Sequence, residues 1–209
     1  ERPPGAAGLL NRDWFDIRLV DSKTDLEVPI GQIGELVVRP KFPWTTCQGY
    51  FGMPEKTSEA FRNLWFHTGD GLKRDQDGWY YFVDRLKDAI RRRGENISSF
   101  EVEQALLSHP SIGEIAAIGV DADQEAGEDE VMVFVILEDE MTLTAEQLWD
   151  YANSQLPYFA VPRYVHFISE LPKTPSEKVR KIELREIGVN ESTHDRGPQP
   201  SRRKNRKGS

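Results

Sequence analysis

Between Gly78 and Val102 the chain reads GWYYFVDRLKDAIRRRGENISSFEV, and this stretch limits the possible folds more than any other. Trp79, Tyr80, Tyr81, Phe82 and Val83 form one apolar aromatic run of strand length, which predicts a well-buried strand. Directly behind it stand Asp84, Arg85, Lys87 and Asp88, four charges in five positions. A core strand carries such charges only if they are paired or face a ligand, because an unpaired buried ion is too costly. Ala89 and Ile90 lead into Arg91-Arg92-Arg93-Gly94-Glu95-Asn96, a cationic turn with glycine at its tip. A solvated basic strand edge is the competing reading of Arg91–Arg93. Ser98 then opens a helix: its hydroxyl can cap the first turn, and Glu101 three residues on completes a capping box. A buried strand, a charged joint and a Gly-tipped basic loop in succession point to a site at a moving boundary.

The rest of the chain sets the frame for that joint. A length of 209 residues leaves room for one large domain or two small ones. A net charge of −8 argues against a general nucleic-acid binder. The single cysteine, Cys47, excludes an internal disulfide and fits a reducing compartment, so a cytoplasmic protein is expected. No apolar run approaches the ~20 residues of a membrane span, and no signal peptide is visible. Beginning at Glu1 rather than Met, the chain is expected to be a piece of something longer.

Residues 1–84 are rich in short β-like runs, with loose alternation over Trp14–Val20 and a strand at Glu35–Arg39 behind the turn signal Gly31-Gln-Ile-Gly34. Helical signal there is confined to Pro54–Asn63, with proline where a first helical turn tolerates it. Thr68-Gly69-Asp70, taken alone, reads as a turn. From Ser98 the texture becomes α+β. A helix is predicted over Ser98–Ser108, strands over Ile112–Val120 and Val131–Leu137, and an acidic solvated loop, Asp121–Glu130, between them. Thr144 with Gln147 caps a helix running to about Leu156; a strand follows at Arg163–Ile168, then a proline-bearing loop, Leu171–Ser176, and an amphipathic segment, Lys178–Ile187. From about Asn190 apolar residues thin out, and the chain ends in SRRKNRKGS, predicted as disordered tail.

Four segments carry a resemblance. In order they are Gly49-Tyr50 with Pro54-Glu-Lys-Thr57, then Trp65-Phe-His-Thr-Gly-Asp70, then Asp84-Arg-Leu-Lys-Asp88 with Gly94-Glu-Asn-Ile97, and last Pro172-Lys-Thr-Pro-Ser-Glu-Lys178. Together, over roughly residues 10–187, the chain resembles the C-terminal part of AMP-forming adenylate ligases: acyl-CoA synthetases, luciferases and peptide-synthetase adenylation domains. The middle segment is most similar to crotonobetaine/carnitine-CoA ligase-like members. The fold so implied is α+β. Residues 1–86 would be the last β-rich subdomain of a large N-terminal domain. Residues 87–188 would be a small, mobile α+β C-terminal domain hinged near Lys87, and residues 189–209 a disordered basic tail.

The resemblance also implies a two-step reaction. A small-molecule carboxylate attacks the α-phosphate of Mg-bound ATP to give acyl-AMP and pyrophosphate, and the thiol of coenzyme A then displaces AMP. Asp70 would grip the ribose hydroxyls, a role suited to a carboxylate with two acceptor oxygens. Arg85 would contact the nucleotide, and Lys178 would reach the α-phosphate as the catalytic lysine. Lys87 matches the hinge about which the small domain turns. One face, carrying Lys178, would close for adenylation; the other, carrying Arg93, Gly94 and Glu95, for thioester formation along the pantetheine channel. No bound metal of the protein's own, no nucleic acid and no membrane span belong to this reading. The missing N-terminal part would supply the phosphate loop and acyl pocket, so the fragment alone is expected to be inactive.

Two departures stand against the family pattern. The glycine usual before the catalytic lysine is Glu177 here, and a basic residue frequent before the second long strand is replaced by Glu128-Asp-Glu130 and Met132. Two alternatives accompany the reading: a non-catalytic interaction module on the same fold, and an adenylation domain that loads a carrier protein instead of CoA.

Overall fold

The computed structural model describes residues 1–92, 95–123 and 128–198. The chain divides into two compact units, Glu1–Asp88 and Ala89–Ser209, and no described helix is long and apolar enough to cross a membrane.

The first unit is one antiparallel sheet. Its strands are β1 (Gly8–Leu9), β2 (Phe15–Val20), β3 (Gly34–Pro40), β4 (Phe66–Arg74) and β5 (Trp79–Arg85), with helix α1 (Pro54–Ala60) before β4. They lie in the order β1-β5-β4-β3-β2. Alternation along β2 and β3 sends Leu19 and Leu36 to opposed positions in the ladder. Leu19, Leu72 and Tyr80 form the buried core, with Leu10, Ile17, Val28 and Leu36 packed on it.

Three expectations change in this unit. β5 extends into the charged joint as far as Arg85, and it is only partly buried: Phe82 is 39% exposed. A strand of an antiparallel sheet points alternate side chains to opposite faces, so a continuous aromatic run does not bury throughout. Thr68-Gly69-Asp70 is not a free turn but the middle of β4, where Gly69 takes φ +73° and the register with β5 shifts between Gly71 and Leu72. The ladder is thus interrupted by a bulge, which re-aims the side chains beside it. α1 ends at Ala60; a short 3-10 turn, Arg62–Leu64, follows, with Asn63 at φ 54°.

The second unit begins with a hairpin, β6 (Ile90–Arg92) and β7 (Glu95–Ile97), followed by α2 (Ser99–Leu107). The Ser98 hydroxyl accepts the Glu101 N–H, as its position before the helix requires. Next come β8 (Ile112–Asp123), β9 (Glu128–Leu137), α3 (Ala145–Gln155), β10 (Tyr164–Phe167), α4 (Lys181–Ile187) and β11 (His194–Asp195). A complete capping box between Thr144 and Gln147 opens α3. The main sheet runs β11-β10-β9-β8, with β9 and β10 parallel and the other pairs antiparallel.

This sheet is covered on both faces, and period-two alternation sorts its residues between them. Ile115, Ala117, Val131, Val133 and Val135 join one core with Val102 and Leu106 of α2 and Leu148 and Ala152 of α3. Ala116, Ile118, Met132 and Phe134 join the other, closed by Leu171 and by Leu184 of α4. Each large apolar side chain removed from water here contributes about 1.5–3 kcal/mol.

Three further expectations fail here for one reason: charges found partners across the fold. The acidic stretch Asp121–Glu130 is not a solvated loop at its ends. Asp121 pairs with Asp129 and Val120 with Glu130 in the β8–β9 ladder, and Glu130 is buried. Arg92, read as part of a cationic turn or a solvated edge, is buried, forms an ion pair with Glu130, and donates to the carbonyls of Phe159 and Val161. The tail does not lose structure at residue 189. β11 adds to the sheet edge, and Arg163 holds Asp195 through two hydrogen bonds of 2.9 and 3.0 Å. The basic end of the tail, residues 199–209, lies outside the described residues. Lys178 precedes the last helix, which starts only at Lys181.

Candidate functional site

In the first unit the pairing of β4 with β5 sets Asp70 directly opposite Arg85. Arg85 Nε lies 2.8 Å from Asp70 Oδ1, and a second guanidinium nitrogen donates to the Thr68 carbonyl at 3.2 Å. The charged joint therefore folds back on the Thr-Gly-Asp segment: Leu86 N–H donates to the Gly69 carbonyl. Asp84, buried beside it, accepts the Arg85 N–H. Arg85 and Lys87 line an open cleft of about 630 Å³ together with Tyr50, Lys56, His67 and Thr68. Asp70 is not among the lining residues and meets the cleft through Arg85.

The floor of this region is a carboxylate. Glu35, at the start of β3, is buried; one oxygen accepts the Gly69 N–H at 3.1 Å, and the other meets His67 Nδ1 at 3.0 Å and Arg62 at 3.2 Å. Arg62 also reaches Asp25. Burial pushes the Asp25 carboxyl up, but the Arg62 guanidinium and the Asn63 amide outweigh it, and the net effect lowers its pKa. Across the cleft the Tyr50–Thr57 segment is closed by one hydroxyl: Thr57 accepts the Tyr50 N–H and donates to the Met53 carbonyl, both at 2.9 Å. A Cβ on Gly49 would lie 2.5 Å from Thr57, so this approach needs glycine.

In the second unit Lys178 ends a tight hairpin turn. Glu177 N–H donates to the Thr174 carbonyl, and Thr174 N–H to the Lys178 carbonyl, inside the Lys173–Val179 bridge. Pro175 occupies the position after Thr174, where its fixed φ suits the turn. Glu177 takes φ 60°, the left-handed conformation that such a turn ordinarily assigns to glycine. The side chains around it are paired. Lys173 binds Glu114 at 2.8 Å and lies 3.7 Å from Glu177, Arg180 pairs with Glu183, and Lys181 binds Glu103 at 2.7 Å and Ser99 at 2.6 Å. The Glu114 carboxylate holds the Lys173 ammonium charged above its ordinary range. The exposed Lys178 ammonium has no ion-pair partner among the described residues.

Of the residues singled out from sequence, Asp70, Arg85 and Lys87 come together in the first unit, and Glu95 and Lys178 lie in the second. Glu95 is exposed at the start of β7. Arg93 and Gly94 lie outside the described residues. Sequence reasoning missed Glu35, Arg62 and His67 as a connected group. The available signal was an acid opening the apolar strand ELVVR and a histidine directly before Thr-Gly-Asp. Among the described residues no cluster of three or more His, Cys, Asp or Glu is arranged to hold a metal ion.

Residues 101–178 match the family described as the AMP-binding enzyme C-terminal domain. Over 166 residues the chain is 37% identical to the crotonobetaine/carnitine–CoA ligase of Proteus sp. (strain LE138), covering 79% of this chain and 32% of that protein. It is 36% identical over 188 residues to the peroxisomal trans-cinnamate:CoA ligase of Petunia hybrida, covering 89% and 32%. The chain thus spans about a third of the length of these curated relatives. Among solved structures it is similar to the anthranilate CoA ligase AuaEII in complex with anthranoyl-AMP, with TM-score 0.76, 29% identity, and coverage of 90% of this chain and 36% of that one. ATP-bound MatB from Rhodopseudomonas palustris matches with TM-score 0.75 at 32% identity, covering 90% and 36%.

Proposed function

We propose, from the premise that residues 101–178 are an AMP-binding enzyme C-terminal domain, that this chain supplies the nucleotide-facing strand pair and the moving domain of an acid–thiol ligase. The whole enzyme would activate a small carboxylic acid as acyl-AMP and pass the acyl group to coenzyme A. Magnesium would enter on the ATP triphosphate rather than on a ligand set of this chain. In this reading the Asp70 carboxylate accepts from the ribose hydroxyls, and Arg85, already hydrogen-bonded to it, steadies that carboxylate and faces the nucleotide. Lys178 places its ammonium on the α-phosphate oxygens during adenylation, where negative charge builds. Lys87, one residue before the end of the first unit, is the pivot. The β6–β7 hairpin, with Arg93, Gly94 and Glu95, serves the thioester step. The free thiol of Cys47 agrees with work in the reducing cytoplasm.

The observation that carries this reading is the contrast within the Lys178 loop. Lys173, Arg180 and Lys181 are each tied to a carboxylate, whereas Lys178, at the end of the turn, keeps its charge unspent. Glu177 does not remove that charge: its side chain is 82% exposed, and the cation it approaches is Lys173. A paired assay on the whole ligase tests the assignment. Lys178→Ala should slow pyrophosphate release from ATP and acid by about 10²–10³, the scale of removing one preorganised charge donor. Thioester formation from supplied acyl-AMP and CoA should stay near normal. Equal losses in both steps would overturn the division of labour.

A further inference from the structure

Glu35 is a buried carboxylate to which the ligase reading gives no task. Its side chain is 6% exposed and that of His67 is 3% exposed. A buried ion survives only with full pairing, and here Arg62 supplies the countercharge while His67 supplies a hydrogen bond. Both of these partners meet the same carboxylate oxygen. That leaves the other carboxylate oxygen for Gly69 N–H.

Gly69 is where the direction of Asp70 is decided. At φ +73°, with nothing within 4 Å of where a Cβ would stand, its peptide has no steric wall to hold it. Two hydrogen bonds from neighbouring residues of β3 take that place. Glu35 receives the Gly69 N–H, and the Leu36 carbonyl receives the Thr68 hydroxyl at 2.8 Å, whose oxygen in turn accepts the Asp70 N–H at 3.1 Å. The backbone on both sides of the glycine is thus fixed from one strand.

We propose that Glu35 is a positioning residue for Asp70: by clamping the Gly69 peptide it holds the Asp70 carboxylate in the orientation that accepts from a vicinal diol. This rests on the ribose role given to Asp70 above. His67 and Arg62 hold the other oxygen of Glu35 and so fix the side chain in place.

The test is titration of the 209-residue chain, followed by NMR, with AMP and with 2′,3′-dideoxy-AMP, which lacks the diol. The unaltered chain should prefer AMP by about tenfold or more, the scale of a charge-assisted hydrogen bond. Asp70→Asn should bring the ratio toward one. Glu35→Gln should do so too, and so should Glu35→Asp, which keeps the buried charge but shortens the reach to Gly69. Glu35→Asp also guards against Glu35→Gln failing to fold. A role confined to stability would lower the melting temperature and leave the ratio alone. Folded Glu35 variants that keep the full AMP preference, while Asp70→Asn loses it, overturn the positioning role only. A ratio near one in the unaltered chain overturns the ribose reading of Asp70, and the positioning role with it.

Discussion

The first unit closes a single antiparallel sheet over Leu19, Leu72 and Tyr80, whereas the second wraps a mixed sheet on both faces with helices and two separate cores. The consequence is visible at the surface. In the first unit Phe51, Trp44 and Leu64 are each more than four-fifths exposed; among the described residues of the second the most exposed large apolar residue is Ile182, at 63%. The second unit therefore holds its shape by burial. The first holds its Thr-Gly-Asp segment by polar ties, the Glu35 clasp and the Asp70–Arg85 pair. Burial gives a stiff body that can move as one piece, and directed hydrogen bonds give a fixed orientation at one point.

The largest effect should come from breaking the packed side of this contrast. Phe134→Ala removes a fully buried ring of the second unit and should cost about 3–5 kcal/mol. Phe51→Ala, at a fully exposed ring of the first, should fall within about 0.5 kcal/mol. Chemical denaturation measures both, and similar losses would remove the distinction. In native-state hydrogen exchange, Ala117 and Val133 should be protected more than Ile17 and Val38, and uniform protection would count against it.

The next effect is kinetic and concerns the join between the units. In the ligase proposed above, Lys87→Pro would fix φ beside the charged joint. One half-reaction should fall by about 10² while the other stays within a fewfold, the signature of a blocked conformational step. If both survive at the parental rate, Lys87 is not a pivot.

A smaller effect is expected at the turn before Lys178. Glu177→Gly relieves a left-handed residue at a cost of about 1 kcal/mol and gives up only an exposed ion pair with Lys173. The second unit should melt a few degrees higher, and an unchanged or lower melting temperature would show that Glu177 is not strained there.

The smallest concerns β11. The Arg163 guanidinium holds the Asp195 carboxyl below its ordinary value of 3.8. Stability from this clasp is full above that value and is lost as pH falls below it, through the lowered folded value. Acid titration followed at the amides of residues 194 and 195 should show β11 loosening below about pH 4. Loosening at neutral pH would exclude the ion pair as its fastening.

Much of the molecule was legible in local pattern. Ser98 and Thr144 announced their helices because a cap is satisfied within three residues. The runs at Ile112–Val120 and Val131–Leu137 announced strands because side-chain periodicity is a local property. The Thr-Gly-Asp and Asp-Arg motifs singled out Asp70 and Arg85, which the β4–β5 register sets opposite each other.

Other features were decided only by the tertiary structure. Arg92 and Glu130 are 38 positions apart, and nothing near either residue says that the two will neutralise each other in the interior. Glu35 and Gly69 are 34 apart, and the clasp between them exists only because β3 and β4 pair in one register with one irregularity. β11 reads as tail until Arg163 and the edge of β10 are beside it. The physical reason is common to all three. Propensity and capping act over one turn of chain and can be read where they stand. The fate of a charge depends on which distant group the fold brings within 3 Å, and the sequence around that charge does not contain the answer.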